Sequence, residues 1–130
     1  MRLLISATVL ATSLLTSIPV RASPLTLHFP PYTNGTTVSG TVQGTEMNRY
    51  FLSLKTGQRI IAHIHSSNTR VFVLLRDPNG DVLSDSSQNH MPNNLAVSLA
   101  PMDGLYSLEV FLYHATSQQP APYTLGVTAR

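Results

Sequence analysis

The sequence has no cysteine in its 130 residues. A disulfide framework of the kind that staples many small exported folds is therefore excluded, and stability has to come from a packed core. About a hundred residues are enough to bury one such core unaided. Long apolar runs are also missing. The one candidate, Leu3 to Leu15 behind Met1-Arg2, is shorter than a spanning helix needs. It is followed by Val20-Arg21-Ala22, which places small or aliphatic residues where a signal peptidase reads. The segment reads as a cleavable leader over residues 1–22, with no cysteine behind it for lipid attachment. The remainder, residues 23–130, is expected as one domain outside the cytoplasm, in a bacterial periplasm, with no stable membrane insertion once the leader is removed.

Excess charge of one sign is absent too. Arg2 and Arg21 leave with the leader, so six of the eight Lys and Arg residues remain against six acids, a net charge of zero. The basic balance of the whole chain belongs partly to the leader. No basic patch of the kind that follows a phosphate backbone is present, which argues against a nucleic-acid partner.

Helical periodicity beyond the leader is also lacking; the patterns present are those of strands. Tyr50, Leu52 and Leu54 alternate on one face, and Lys55-Thr56-Gly57-Gln58 breaks the run with a glycine free to take positive φ. Ile60, Ala62 and Ile64 alternate with Ile61, His63 and His65. Val71 to Leu75 is apolar throughout, which predicts a strand covered on both sides or at a sheet centre and hence two sheets. Leu25 to Phe29 reads as an edge segment and Asn34-Gly35 as a turn. Val38 to Val42 reads as a strand in which Gly40 marks a bulge or a close approach. Asp77-Pro78-Asn79-Gly80-Asp81 is turn chemistry leading into a short strand at Val82-Leu83. Ser84 to Asn94 reads as a polar loop and Leu95 to Leu99 as another alternating run. After a turn at Pro101 to Gly104 comes the longest strand, carrying Tyr106, Leu108, Val110 and Leu112. A polar loop over His114 to Pro122 precedes a final strand with Tyr123, Leu125 and Val127. Seven to nine short strands separated by turns predict an all-β, single-domain antiparallel β-sandwich.

Chemistry-bearing patterns are sparse. There is no Gly-x-Ser-x-Gly elbow and no glycine-rich phosphate cradle, and catalytic residues are not expected. His63 and His65 share a strand face, but no spacing supplies a third ligand, so neither a metal site nor a cofactor is assigned. Asp77, Asn79 and Asp81 lack the spacing of a calcium loop, and Pro78 with Gly80 explains the segment as a turn.

The pattern Ser39-Gly40-x-Val42-x-Gly44, Tyr50, Lys55-x-Gly57-Gln58, Gly104-x-Tyr106-x-Leu108-x-Val110 and Tyr123-x-Leu125-x-Val127 resembles the periplasmic inhibitors of goose-type (g-type) lysozyme. More broadly it is similar to the bacterial pre-peptidase C-terminal domain. The resemblance runs from about Val38 to Val127 and implies a β-sandwich scaffold with its contacts on loops. It implies a protein that binds a g-type lysozyme, or another peptidoglycan hydrolase, by filling the glycan cleft; a glycan- or protein-binding module without inhibitory activity is the alternative. In the inhibitors the loop before the last strand is basic, whereas Tyr113 to Gln119 here has no Arg or Lys. Its donors are His114, Gln118 and Gln119. Arg70, just before a strand, and His90, in the Ser84 to Asn94 loop beside Asn89, complete the expected partner-binding set.

Overall fold

A computed structural model of the chain describes residues 24–88, 94–113 and 119–130. The leader expected over residues 1–22 lies outside them. The described residues form nine strands and no helix: β1 (Leu25–Thr26), β2 (Gly35–Val42), β3 (Met47–Leu54), β4 (Arg59–His65), β5 (Val71–Arg76), β6 (Val82–Asp85), β7 (Leu95–Leu99), β8 (Gly104–Leu112) and β9 (Ala121–Ala129). They make two sheets, ordered β1-β3-β8-β5-β6 and β2-β9-β4-β7. The expected β-sandwich is present.

The core lies where alternation places it. Tyr50, Leu52, Leu54, Val71, Val73, Leu75, Tyr106, Leu108 and Val110 face inward from the first sheet. Val42, Ile60, Ala62, Ile64, Tyr123, Leu125 and Val127 meet them from the second. The turns follow their chemistry as well. Gly57 and Gly80 both have φ of +90°, and the Asp77 carboxylate accepts the amides of Asn79 and Asp81 at 2.9 Å. That second contact closes the turn from within, as an aspartate can in place of a backbone carbonyl.

Several expectations need correction. β1 pairs with β3 in parallel, Leu25 beside Tyr50, so the sandwich is not wholly antiparallel. β6 continues through Ser84 and Asp85, which alternation alone assigns to a loop. β2 pairs with β9 without interruption from Gly35 to Val42, so Gly40 marks a close approach and not a bulge. β7 turns Ala96 inward and leaves Leu99 64% exposed. β5 lies one strand from the sheet edge. Its outward Leu74 is buried between cross-strand neighbours Asp85 and Glu109.

Glu109 is the least expected buried group. It sits on the outward face of β8, only 3% exposed, between Arg49 of β3 and Arg76 of β5. Arg49 donates through Nε and Nη2 to one carboxylate oxygen at 2.9 and 2.5 Å, and Arg76 donates through Nε to the other at 2.9 Å. Burial alone would raise the carboxyl pKa, but the hydrogen bonds and charges of Arg76 and Arg49 outweigh it and hold the group below its ordinary value. A depressed folded-state pKa contributes stability that is full above the unfolded value and fades as pH falls through the folded one. Because both arginines remain partly in water, the contribution is about 1–2 kcal/mol. Glu109→Gln is therefore expected to lower the urea midpoint at pH 7 and to narrow the gap to wild type as pH drops below about 4. A gap that stays constant with pH would show that the arginines do not act through the ionised carboxylate.

Candidate functional site

Strand direction sorts the connections into two unlike ends. At one end are the short turns after β3, β5 and β7. There the exposed Asp103 carboxylate accepts the Thr56 amide at 2.7 Å, and the Gly57 amide donates to the Ala100 carbonyl at 2.8 Å. Those hydrogen bonds, first the amide and then the Thr56 hydroxyl, hold the Asp103 carboxyl below its usual range. At the other end are the connections β2–β3, β4–β5, β6–β7 and β8–β9. Its β6–β7 (86–94) and β8–β9 (113–120) connections are among the longest, as is β1–β2 (27–34), which reaches the first end.

The β4–β5 loop there is tied to its neighbours through short polar side chains. Ser66 Oγ donates to the Pro122 carbonyl at 2.7 Å and accepts the Asn68 amide at 3.1 Å. Asn68 Oδ1 accepts the Arg70 amide at 2.9 Å, and the Arg70 carbonyl accepts the Tyr113 amide at 2.9 Å. Asn94, with φ of +53°, donates its side-chain amide to the Val71 carbonyl at 2.6 Å. The loop bases are thus held by rigid strands and by each other.

Between these bases runs an open groove of about 580 Å³, lined by Ser39, Gly40 and Thr41 of β2, His65 to Ser67, and Pro122 to Thr124 of β9. That volume falls within the range of small-ligand sites. Behind it, the hydroxyls of Tyr50 and Tyr123 are 2.5 Å apart, and Asn48 Nδ2 donates to Tyr123 Oη at 2.9 Å and to the Thr41 carbonyl at 2.8 Å. A Cβ on Gly40 would come within 2.6 Å of the Tyr123 hydroxyl and 3.0 Å of that of Tyr50, so the missing side chain is what admits both phenols. Burial, followed by the hydrogen bond with Tyr50, pushes the Tyr123 pKa well above its ordinary value. The phenol stays neutral. The groove therefore offers neutral hydrogen-bond donors and acceptors, with no carboxylate or fixed cation among its described lining residues.

Arg70 and Gln119, both expected to contact a partner, lie at this end of the sandwich. His90, with Asn89 beside it, and His114 and Gln118 lie outside the described residues. The positions flanking them, Gln88 and Asn94 on one side and Tyr113 and Gln119 on the other, belong to the same end. His63 and His65 share the outer face of β4, with ring centroids 5.9 Å apart. No group of three His, Asp or Glu residues suited to a metal ion occurs among the described residues. Sequence reasoning missed the groove, because its three walls, at residues 39–41, 65–67 and 122–124, are far apart in sequence and only the strand pairing unites them. The one signal available was Gly40, an otherwise costly residue in a strand interior.

No known family profile matches the chain, and no curated protein matches it in sequence. Solved structures do match in fold. A periplasmic inhibitor of g-type lysozyme from Aeromonas hydrophila superposes with a TM-score of 0.75 at 15% identity, over 85% of this chain and 98% of that one. The corresponding inhibitor from Salmonella Typhimurium gives 0.66 at 20% identity, over 84% of this chain and 99% of that one. The pre-peptidase C-terminal domain of Bacillus anthracis collagenase gives 0.57 at 16% identity, over 87% of this chain and 100% of that one. At these identities the likeness is one of fold.

Proposed function

We propose that this chain is an exported binding protein that inhibits a g-type lysozyme, or another peptidoglycan hydrolase, in the periplasm. The observation that carries the reading is the gathering of the β4–β5, β6–β7 and β8–β9 connections, Arg70 and Gln119 included, at one end of a sandwich whose fold is that of known lysozyme inhibitors. The mechanism is occlusion. Loops rooted on strand ends enter the glycan cleft, and donors from Arg70, His90, His114, Gln118 and Gln119 meet the enzyme's catalytic carboxyl group and the polar groups around it. Rigid strand ends limit the entropy lost on docking. The leader over residues 1–22 delivers the chain to the compartment where its target acts.

The test is clearing of a cell-wall suspension by g-type, chicken-type and invertebrate-type lysozymes, each with a molar excess of the chain beginning at Ser23. Loss of clearing with the g-type enzyme alone is the expected result. Replacing His114 and Gln118 together by alanine is then expected to weaken inhibition about tenfold or more, whereas Arg70→Ala, at the rim, costs less. Undiminished clearing by all three enzymes would overturn the proposal. The neutral, hydroxyl-lined groove favours a second reading, a module that binds glycan or a protein partner without inhibiting anything. Retention on insoluble peptidoglycan, abolished by filling the groove through Ser39→Leu at an exposed lining position, would support that reading.

A further inference from the structure

The outer face of the four-stranded sheet carries a feature that lysozyme inhibition does not use. His63 and His65 stand two residues apart on β4 and on the same face. Side chains in that relation are set about 6.6–6.8 Å apart by the strand rise. The two imidazole centroids are 5.9 Å apart at an interplanar angle of 71°, so the rings lean toward each other. A cation bound by one nitrogen of each ring at roughly 2.0–2.1 Å would set the centroids roughly 5–6 Å apart. The observed centroid distance falls in that range, and χ2 is a soft torsion for histidine.

The surroundings leave room for it. His63 is in register with Gly126 of β9, and a Cβ built on Gly126 meets nothing within 4 Å. Beyond Gly126 comes Thr37 of β2. In the next row His65 is followed by Thr124 and then Ser39, so short hydroxyl side chains border the pair on the β9 side, while Leu95 of β7 lies beside His63 on the other. None of the four strands of this sheet contains an Asp or a Glu. That composition selects the ion. Hard cations such as calcium and magnesium want several oxygen ligands, ideally carboxylates, whereas imidazole suits copper, nickel and zinc.

We propose that His63 and His65 form a surface site for a borderline transition-metal cation, taken up in the order Cu²⁺ above Ni²⁺ and Zn²⁺, with water completing its coordination. Strand placement fixes the spacing of both ligands before the ion arrives. The site lies beside the groove, since His65 also lines it. The proposal does not rest on lysozyme inhibition, and cell-wall clearing is not its readout.

The experiment titrates the purified chain with Cu²⁺, Ni²⁺, Zn²⁺ and Ca²⁺ by calorimetry and follows backbone amides by NMR with substoichiometric Cu²⁺. One strong Cu²⁺ site per chain is expected, with no heat from Ca²⁺. Paramagnetic broadening is expected to centre on His63, His65, Gly126 and Thr124. His63→Asn and His65→Asn are each expected to weaken Cu²⁺ binding about tenfold or more. The controls His28→Asn and the His90→Asn/His114→Asn double variant are expected to retain it. Both strand histidines lie on the outer face, so unchanged thermal midpoints certify the folding of their variants. Binding that survives loss of either strand histidine, broadening centred elsewhere, or no saturable Cu²⁺ binding would overturn the assignment.

Discussion

Replacing Tyr106 by alanine is expected to lower the unfolding free energy by about 3–5 kcal/mol, the range found when a large buried ring is deleted. Two contributions separate cleanly. The ring is fully buried near the start of β8, within the core cluster to which both sheets contribute, so its removal leaves a cavity bounded by strands that cannot collapse without breaking pairing. The hydroxyl donates to the Met102 carbonyl at 2.5 Å and accepts the Met102 amide at 3.2 Å, fastening the β7–β8 turn to the strand that follows it. Tyr106→Phe removes only that fastening and is expected to cost about 1 kcal/mol. Urea midpoints for the two variants, with slopes recorded to verify an all-or-none transition, decide the partition. Equal losses for Phe and Ala would mean that the hydroxyl and not the ring governs this position.

The second large effect is expected at Gly40. Its backbone pairs regularly with Tyr123, so no unusual φ is at stake and the cost of a side chain is steric. A Cβ would stand 2.6 Å from the Tyr123 hydroxyl and 2.8 Å from the ring carbon that bears it. Neither phenol can swing away without giving up the bonds that join Tyr50, Tyr123 and Asn48. Gly40→Ala is expected to destabilise by about 1–3 kcal/mol, the usual cost of overpacking. In a Tyr123→Phe background the nearest obstacle is gone while the ring carbon remains. The cost of Gly40→Ala should fall there by about 0.5 kcal/mol or more without vanishing. Strict additivity would show that the hydroxyl pair does not hold the ring in place.

The same residues explain which parts of the molecule were legible in the sequence. Alternation is a local property, so the inward faces of β3, β4, β8 and β9 could be read residue by residue. The turns at Gly57 and Gly80 were legible because backbone geometry leaves few alternatives to glycine there. What a strand pairs with is not local. Arg49 meets Glu109 across sixty positions and Arg76 meets it across thirty-three, and nothing near Glu109 announces two cations. Thus a carboxylate on the outward face of β8 is buried with no local sign of it, and β8 is no longer than β9, contrary to expectation. The parallel seating of β1 was hidden in the same way, since two residues carry no sign of their direction. For the site, His63 and His65 could be placed on one face from their spacing, and Arg70 could be placed at a strand mouth. The groove and the distinction between the two ends needed the topology.

The strand order has a consequence in time as well as in space. β8 lies between β3 and β5 in one sheet, and β9 lies between β2 and β4 in the other. The two strands synthesised last are therefore the two that their sheets are built around. Until β8 emerges, β3 has no antiparallel partner and β5 has only the hairpin to β6. Until β9 emerges, β2 has no partner at all. Closing such long loops precedes any gain from burial, which slows assembly and postpones it. A growing chain that has β8 but not β9 can thus complete one sheet and not the other. The sandwich closes only when β9 enters the middle of its sheet, between β2 and β4.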